Sequence, residues 1–192
     1  TEEEIAAVRA VSAAQDEEAF FRPENQPFEP QPTNPLNNVY FGDLHIHTNL
    51  SSDAYLFGNR LDMDTAYRFA KGETGATLRT GEYVEISRPL DFAALTDHAE
   101  TFGRRSACES PDASDAARAA CDKLELPSLI GFLRLRQRAQ QRPPVRPMEV
   151  FNDNPTLERS YAAATWQRVQ DAANRHYEPG YFTTFAAYEY SP

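Results

Sequence analysis

Residues 40–54 read Tyr-Phe-Gly-Asp-Leu-His-Ile-His-Thr-Asn-Leu-Ser-Ser-Asp-Ala, a partly apolar segment that runs through two histidines into a polar turn. Because alternate side chains of a strand point to the same face, His45 and His47 lie on one side of a single strand. Imidazole is the side chain that most often binds metal ions in proteins. The pattern predicts a strand over 39–47 with a metal site at its carboxyl end.

Two later segments also place polar residues where a strand ends. Residues 89–98, Pro-Leu-Asp-Phe-Ala-Ala-Leu-Thr-Asp-His, contain an apolar run that is closed by Asp97 and His98. Residues 181–190 are rich in aromatic side chains and predict a buried strand that ends near Glu189. Since the carboxyl ends of parallel strands face the ligand site in α/β folds, we expect these side chains to meet the histidine pair.

Charge and hydropathy exclude several classes of partner. The chain has 192 residues, a formal net charge of -10 and a pI ≈ 4.9. Nucleic acids and anionic membranes are normally bound by basic surfaces, so we expect neither as a partner. No apolar run approaches the roughly 20 residues that cross a bilayer. A small anionic substrate held in a local pocket remains compatible with this composition.

The distribution of proline separates an N-terminal segment from the rest. Residues 1–22 are acidic and alanine-rich and predict a helix, whereas the prolines between 23 and 38 predict a wrapping arm. We therefore divide the chain into a segment over 1–38 and a domain over 39–192. The alternation of strands and helices in that domain predicts an α/β fold with parallel pairing. A mainly helical insertion at about 99–150 is expected to cover the mouth of the site.

Capping residues predict where two helices begin. Asp62 or Asp64 is suited to cap a helix through 66–70. Asn154, which is followed by proline, begins a helix predicted over 155–178. The other predicted elements are a short strand over 82–87 and helices near 112–124 and 127–141.

Cys108 and Cys121 are the two cysteines of the chain, and they lack the C-x-x-C spacing of zinc sites. A disulfide between them and a pair of reduced thiols are equal alternatives from the sequence. The disulfide would favour a periplasmic or secreted protein, whereas reduced thiols would favour the cytoplasm.

The segments that end in candidate ligands resemble the metal-site motifs of a known superfamily. Residues 41–48, 89–98 and 185–191 are similar to the first three motifs of the polymerase and histidinol phosphatase (PHP) superfamily. The segments that begin at Asp53 and Asp64 are similar to a bacterial branch of it whose function is unknown. The resemblance implies an α/β chain that forms the N-terminal part of a distorted (β/α)7 barrel. The remainder of that barrel would come from downstream sequence or from a second fragment.

The resemblance also implies a role for each matching residue. The implied metal ligands are His45, His47, Asp53, His98 and Glu189. Asp97 is the catalytic candidate, expected to act by orienting a neighbouring group. Two or three divalent ions, Zn, Mn or Fe, would be bound, and a metal-activated hydroxide would hydrolyse a phosphoester or related small anionic ester. Two alternatives remain open, since a metal cage does not determine the substrate: hydrolysis of an amide or sulfate ester, and a non-catalytic binding or regulatory module.

Some charged residues have a competing interpretation. Asp53 also suits a polar turn, and Asp43 is expected to orient a neighbour or stabilise a turn rather than bind metal. Arg104 and Arg105 are candidates for binding an anionic substrate, although a solvated surface pair is the favoured alternative. His176 falls within a predicted helix and is expected to be a surface or capping residue rather than a ligand.

Overall fold

The structure, a computed structural model, describes residues 38–124, 129–142 and 147–191. The predicted N-terminal helix and proline-rich arm therefore lie, up to residue 37, outside the described residues. Among the helices described, none has the length and apolar character needed to span a membrane.

Strands and helices are mixed along the described chain. The strands are β1 (Gly42–Ile46), β2 (Ala76–Thr77), β3 (Tyr83–Val84), β4 (Phe92–Leu95) and β5 (Thr183–Ala186). The α-helices are α1 (Ser52–Leu56), α2 (Met63–Ala70), α3 (Arg104–Glu109), α4 (Asp115–Leu124), α5 (Leu129–Ala139) and α6 (Pro155–His176). Short 3₁₀ turns occupy Ala99–Thr101 and Met148–Phe151.

A parallel three-stranded sheet in the order β1-β4-β5 organises the fold. Phe92 at the start of β4 lies opposite both Gly42 of β1 and Thr183 of β5, and the pairing of β1 with β4 shifts in register between Asp43 and Ile46. The predicted α/β class with parallel pairing is confirmed. Over the described residues the sheet is open, with β1 and β5 as its edges, and does not close into a barrel.

The main core lies between the sheet and helices α2 and α6. Tyr67 from α2, Leu95 from β4 and Val169 from α6 are almost fully buried. Removing an apolar side chain of this size from water stabilises a fold by roughly 1.5–3 kcal/mol. The predicted caps hold both helices: Asp62 accepts a hydrogen bond from the Thr65 amide at 2.8 Å, and Asn154 accepts one from the Thr156 amide at 2.9 Å.

The insertion packs on α6 and beside the helix that carries Asp53. A second core joins α3 and α4 to Val150 and Phe151, with the start of α6 against it. Helix α5 contacts α1, where the rings of Phe132 and Phe57 lie 5.3 Å apart between centroids. The insertion is thus anchored next to one part of the candidate site, and its position over the mouth stays a prediction.

Two strand predictions are wrong in length, and one of them also in burial. The strand predicted over 82–87 is only Tyr83–Val84, paired antiparallel with Ala76–Thr77. The strand predicted over 181–190 is only Thr183–Ala186, and most of it is exposed because it is an edge strand. The exposed large hydrophobic residues beside β1 and β5 are Val39, Tyr40, Phe41, Leu44, Tyr181, Phe185, Tyr188 and Tyr190.

A disulfide joins Cys108 of α3 to Cys121 of α4, which resolves the two alternatives left by the sequence. The two cysteines are 13 residues apart, and closing a loop of about this length lowers the entropy of the unfolded chain. We expect the double replacement Cys108→Ser with Cys121→Ser to lower the free energy of unfolding by about 3 kcal/mol. Urea denaturation measures this, and equal midpoints for the oxidised and reduced wild-type protein would contradict it.

Candidate metal centre

β1 and the residue that follows it place the two histidines of the first motif on one face. The rings of His45 and His47 stack with centroids 5.1 Å apart and planes inclined by 15°. The His45 amide donates to Asp43 Oδ1 at 2.9 Å, so Asp43, which lies within β1, contacts the backbone of a neighbouring candidate ligand rather than stabilising a turn. The side-chain amide of Asn59 donates to the carbonyl oxygen of His47 at 2.8 Å and holds the end of the strand.

Backbone pairing beyond β4 and β5 brings the second and third motifs together. His98 and Glu189 form an isolated parallel bridge, in which the Ala99 amide donates to the Glu189 carbonyl at 2.8 Å. The Glu189 amide donates to the Asp97 carbonyl at 3.2 Å. The order of strands in the sheet therefore decides that His98 and Glu189 are neighbours, although they are distant in sequence.

The first group of candidate ligands consists of His45, His47 and Glu189. One carboxylate oxygen, Oε2 of Glu189, lies 3.0 Å from Nε2 of His45 and 2.9 Å from Nε2 of His47. The side chain of His45 is 70% exposed and that of His47 only 14%, so the group opens to solvent on the His45 side.

The second group consists of His47, Asp53 and His98. Asp53 Oδ1 lies 3.3 Å from Nδ1 of His47, and Asp53 Oδ2 lies 3.4 Å from Nε2 of His98. In each group the ligand atoms lie within 4.8 Å of one another. All five predicted ligands are thus brought together, and His47 belongs to both groups.

Charges within the cluster shift the pKa values of its members. Burial would raise the pKa of Asp53, but hydrogen bonds from His98, the Ala54 amide and Ser51 hold it far below its usual range. Hydrogen bonds with Asp53 and Glu100 raise the pKa of His98 to about 10. Asp53 is therefore ionised, the form that binds cations, whereas His98 would have to lose its proton to bind one.

The carboxylate of Glu189 is held ionised in a similar way. Burial would raise its pKa, but a hydrogen bond from Ser191 and the charge of His98 lower it. Both oxygens of this carboxylate face imidazoles, since Oε1 lies 4.0 Å from Nδ1 of His98. Glu189 is therefore placed to contact all three histidines of the cluster.

Asp97 lies beneath the cluster and is 1% exposed. Its Oδ1 accepts from the Thr48 amide and its Oδ2 from the Thr48 hydroxyl, both at 2.7 Å. Burial raises the pKa of this carboxyl group. The bonds tie the end of β4 to the turn after β1, so Asp97 is placed to hold these two segments together, and a direct catalytic role stays a prediction.

Two side chains of the site were missed from the sequence. Glu100 Oε1 lies 3.1 Å from Nδ1 of His98, on the side of the ring away from Asp53. The Ser51 hydroxyl lies 2.9 Å from Nδ1 of His47. A carboxylate two residues after His98 was a weak available signal for Glu100, whereas nothing in the sequence distinguished Ser51 from Ser52.

The two candidate substrate arginines are buried, so the favoured interpretation as a solvated surface pair is wrong. Arg104 is 2% exposed and Arg105 is 5% exposed. The Arg105 guanidinium lies 3.7 Å from the centroid of the Tyr55 ring and forms an ion pair with Glu109. These contacts arise because α3 packs inward, and binding of an anionic substrate by either arginine stays a prediction.

His176 lies apart from the cluster, as expected from the sequence. It is the last residue of α6, where its Nε2 is 2.9 Å from Asp64 Oδ1 and its ring stacks on Tyr67. It is half-buried rather than on the open surface, because it joins the end of α6 to α2.

Comparison with known families adds one match. The sequence model of a family described as "Protein of unknown function (DUF3604)" matches residues 34–192. The chain belongs to the DUF3604 family. All five candidate ligands of this DUF3604 protein lie inside the matched region. Searches of curated proteins and of solved structures found no significant match to this DUF3604 chain.

Proposed function

We propose that this DUF3604 protein is a metal-dependent hydrolase that cleaves a phosphoester or a related small anionic ester. The supporting observation is the pair of ligand groups that share His47 at the carboxyl edge of the parallel sheet. The sheet would be the N-terminal part of a PHP-type (β/α)7 barrel. The exposed apolar residues beside β1 and β5 are suited to contacts with further strands, supplied by additional sequence or a second polypeptide.

The donor set fits a divalent metal ion. Three imidazoles and two carboxylates supply nitrogen and oxygen ligands, a combination that suits Zn, Mn or Fe. The two thiols of the chain are joined in the disulfide, so they do not compete as soft ligands. When bound, such ions polarise an ester oxygen and lower the pKa of coordinated water to near neutrality.

The protein side chains would supply the geometry for this chemistry. His47 and Glu189 would hold the ions between them, because their side chains are in short contact with each other and His47 also contacts Asp53. The exposed side of His45 would admit substrate, whereas the buried Asp97 would keep the two strand ends in place. Arg104 and Arg105, which both lie in the helical insertion, are the proposed binders of the anionic group of the substrate.

The disulfide also supports a proposal about the cellular compartment in which the protein acts. Disulfides persist in oxidising environments and are rare in the cytosol. We therefore expect the protein to act in the periplasm or outside the cell. Fractionation of the source cells followed by thiol labelling measures both the location and the oxidation state.

A substrate panel tests the proposed activity. The full chain is loaded in turn with Zn²⁺, Mn²⁺ or Fe²⁺ and given aryl phosphate monoesters and diesters, an aryl sulfate and an anilide. We expect hydrolysis of a phosphoester that is lost on chelation and in His47→Ala, because that variant lacks the ligand common to both groups. His176→Ala serves as the matched control, since it removes an imidazole outside the cluster.

The other outcomes of the panel would each overturn the proposal in a defined way. Turnover of the sulfate or anilide alone would assign the same ions to a different bond. Stoichiometric metal binding without turnover of any substrate, by the protein that includes the further strands of the barrel, would indicate a binding or regulatory module.

A further inference from the structure

We propose that Ser51 is a positioning residue of the metal centre, whose hydroxyl fixes the ring of His47 relative to His98. The inference rests on the proposed metal-dependent function and adds a residue that touches no ion itself. Ser51 is 0% exposed, so we expect its hydroxyl to find its partners within the protein.

The hydroxyl of Ser51 contacts two different strand ends. Its oxygen lies 2.9 Å from Nδ1 of His47 and accepts a hydrogen bond from the His98 amide at 3.2 Å. A serine hydroxyl has one donor and two acceptor positions, so the His98 amide leaves one donor and one acceptor. The contact with Nδ1 of His47 takes one of the two positions that remain.

This contact sets the orientation of His47. A histidine that binds metal through one ring nitrogen usually donates the other N–H to a neighbouring oxygen, and this second contact determines which nitrogen faces the ion. With an ion bound through Nε2, which lies 2.9 Å from Glu189 Oε2, the Nδ1–H of His47 would donate to the Ser51 hydroxyl. The hydroxyl therefore links two of the five candidate ligands, His47 and His98.

The position of Ser51 in the chain makes this role unusual. It is the N-cap residue of α1, where serine normally accepts a hydrogen bond from an amide of the first helical turn. No such bond is present here, so the hydroxyl contributes to the cluster instead of to the cap. Removal of the hydroxyl is expected to disturb the ligands more than it disturbs the helix.

Ser52 supplies a matched control. It is 5% exposed, and its hydroxyl makes no hydrogen bond to the residues that the structure describes. Ser52→Ala therefore removes a buried hydroxyl one position away without removing a contact to the cluster. Ser51→Gly is a second test variant, because glycine is nearly as good an N-cap as serine and reports on the hydroxyl alone.

The experiment measures Co²⁺ binding by titration calorimetry and by its visible absorption spectrum, on the full chain. We expect Ser51→Ala and Ser51→Gly to bind Co²⁺ roughly 10–100-fold more weakly than wild type and to change the spectrum, as losses of orienting contacts do. Ser52→Ala should match wild type. Equal Co²⁺ affinity and spectra in all four proteins would overturn the role of Ser51 while leaving the proposed function in place.

A measurement on the metal-free protein distinguishes failure of the Ser51 proposal from failure of the proposed function. Amide hydrogen exchange is followed by NMR at His98, whose N–H donates to Ser51 in wild type. We expect exchange at His98 to be about tenfold faster in both Ser51 variants and unchanged in Ser52→Ala, since one hydrogen bond is lost. If wild type binds no Co²⁺, the proposed function fails. Unchanged exchange at His98 in both Ser51 variants would overturn the Ser51 contact whether or not Co²⁺ binds.

Discussion

Replacing His47 with alanine is expected to abolish bound metal and hydrolysis together. His47 is common to both ligand groups, so its loss leaves two residues in each. Loss of an orienting contact alone costs roughly 10–100-fold in metal affinity, and loss of a ligand shared by two sites should cost more than that. Metal content after dialysis, measured by mass spectrometry, tests the first result, and the substrate panel tests the second.

Two further variants test whether the effect of His47→Ala is specific to that residue. His45→Ala also removes a ring of the cluster, but from the first group alone, so we expect partial retention of metal. His176→Ala should retain all metal and lose only stability, because His176 contacts Asp64 and Tyr67. Circular dichroism should show a folded protein in each case. Full metal content in folded His47→Ala would exclude this edge of the sheet as the metal centre.

Gly103→Ala is expected to lower the free energy of unfolding by about 3 kcal/mol or more. Gly103 has a φ of +82°, a conformation that costs residues with a Cβ about 1–2 kcal/mol. A Cβ here would also lie 2.6 Å from the backbone nitrogen of Ala162 and 2.7 Å from the carbonyl carbon of Tyr161. These are main-chain atoms of α6 and cannot rotate away, so α3 would have to move from α6.

Gly81→Ala is the matched control for the effect of packing. Gly81 has a φ of +85°, but a Cβ at this position would meet nothing within 4 Å. We expect the free energy of unfolding of this variant to fall only by the conformational cost of the positive φ, about 1 kcal/mol. Urea denaturation of both variants measures the difference. Equal losses would mean that the approach of α3 to α6 is less close than the structure has it.

Local sequence patterns predicted which strands and helices carry the residues of the site. They predicted the lengths of those elements less well. The His45 and His47 spacing, the end of β4 at His98 and the Asn154 cap are all local signals, and the structure places each of these residues as expected. Strand β5 was predicted too long and buried, because aromatic composition does not reveal that a strand lies at an edge. The arginines of α3 were predicted exposed, because charge alone does not reveal packing against Tyr55.

The sequence by itself determined which side chains are available for a metal centre and that they follow strands of an α/β fold. The physical reason is that strand periodicity and helix caps act over a few residues. Only the tertiary structure decided that His47 is shared by two ligand groups and that Ser51, not Ser52, faces it. Those contacts depend on the parallel pairing of β4 and β5 and on the turn after β1, and the strand pairing joins segments about 90 residues apart. Neither arrangement leaves a signal in the sequence of any single segment.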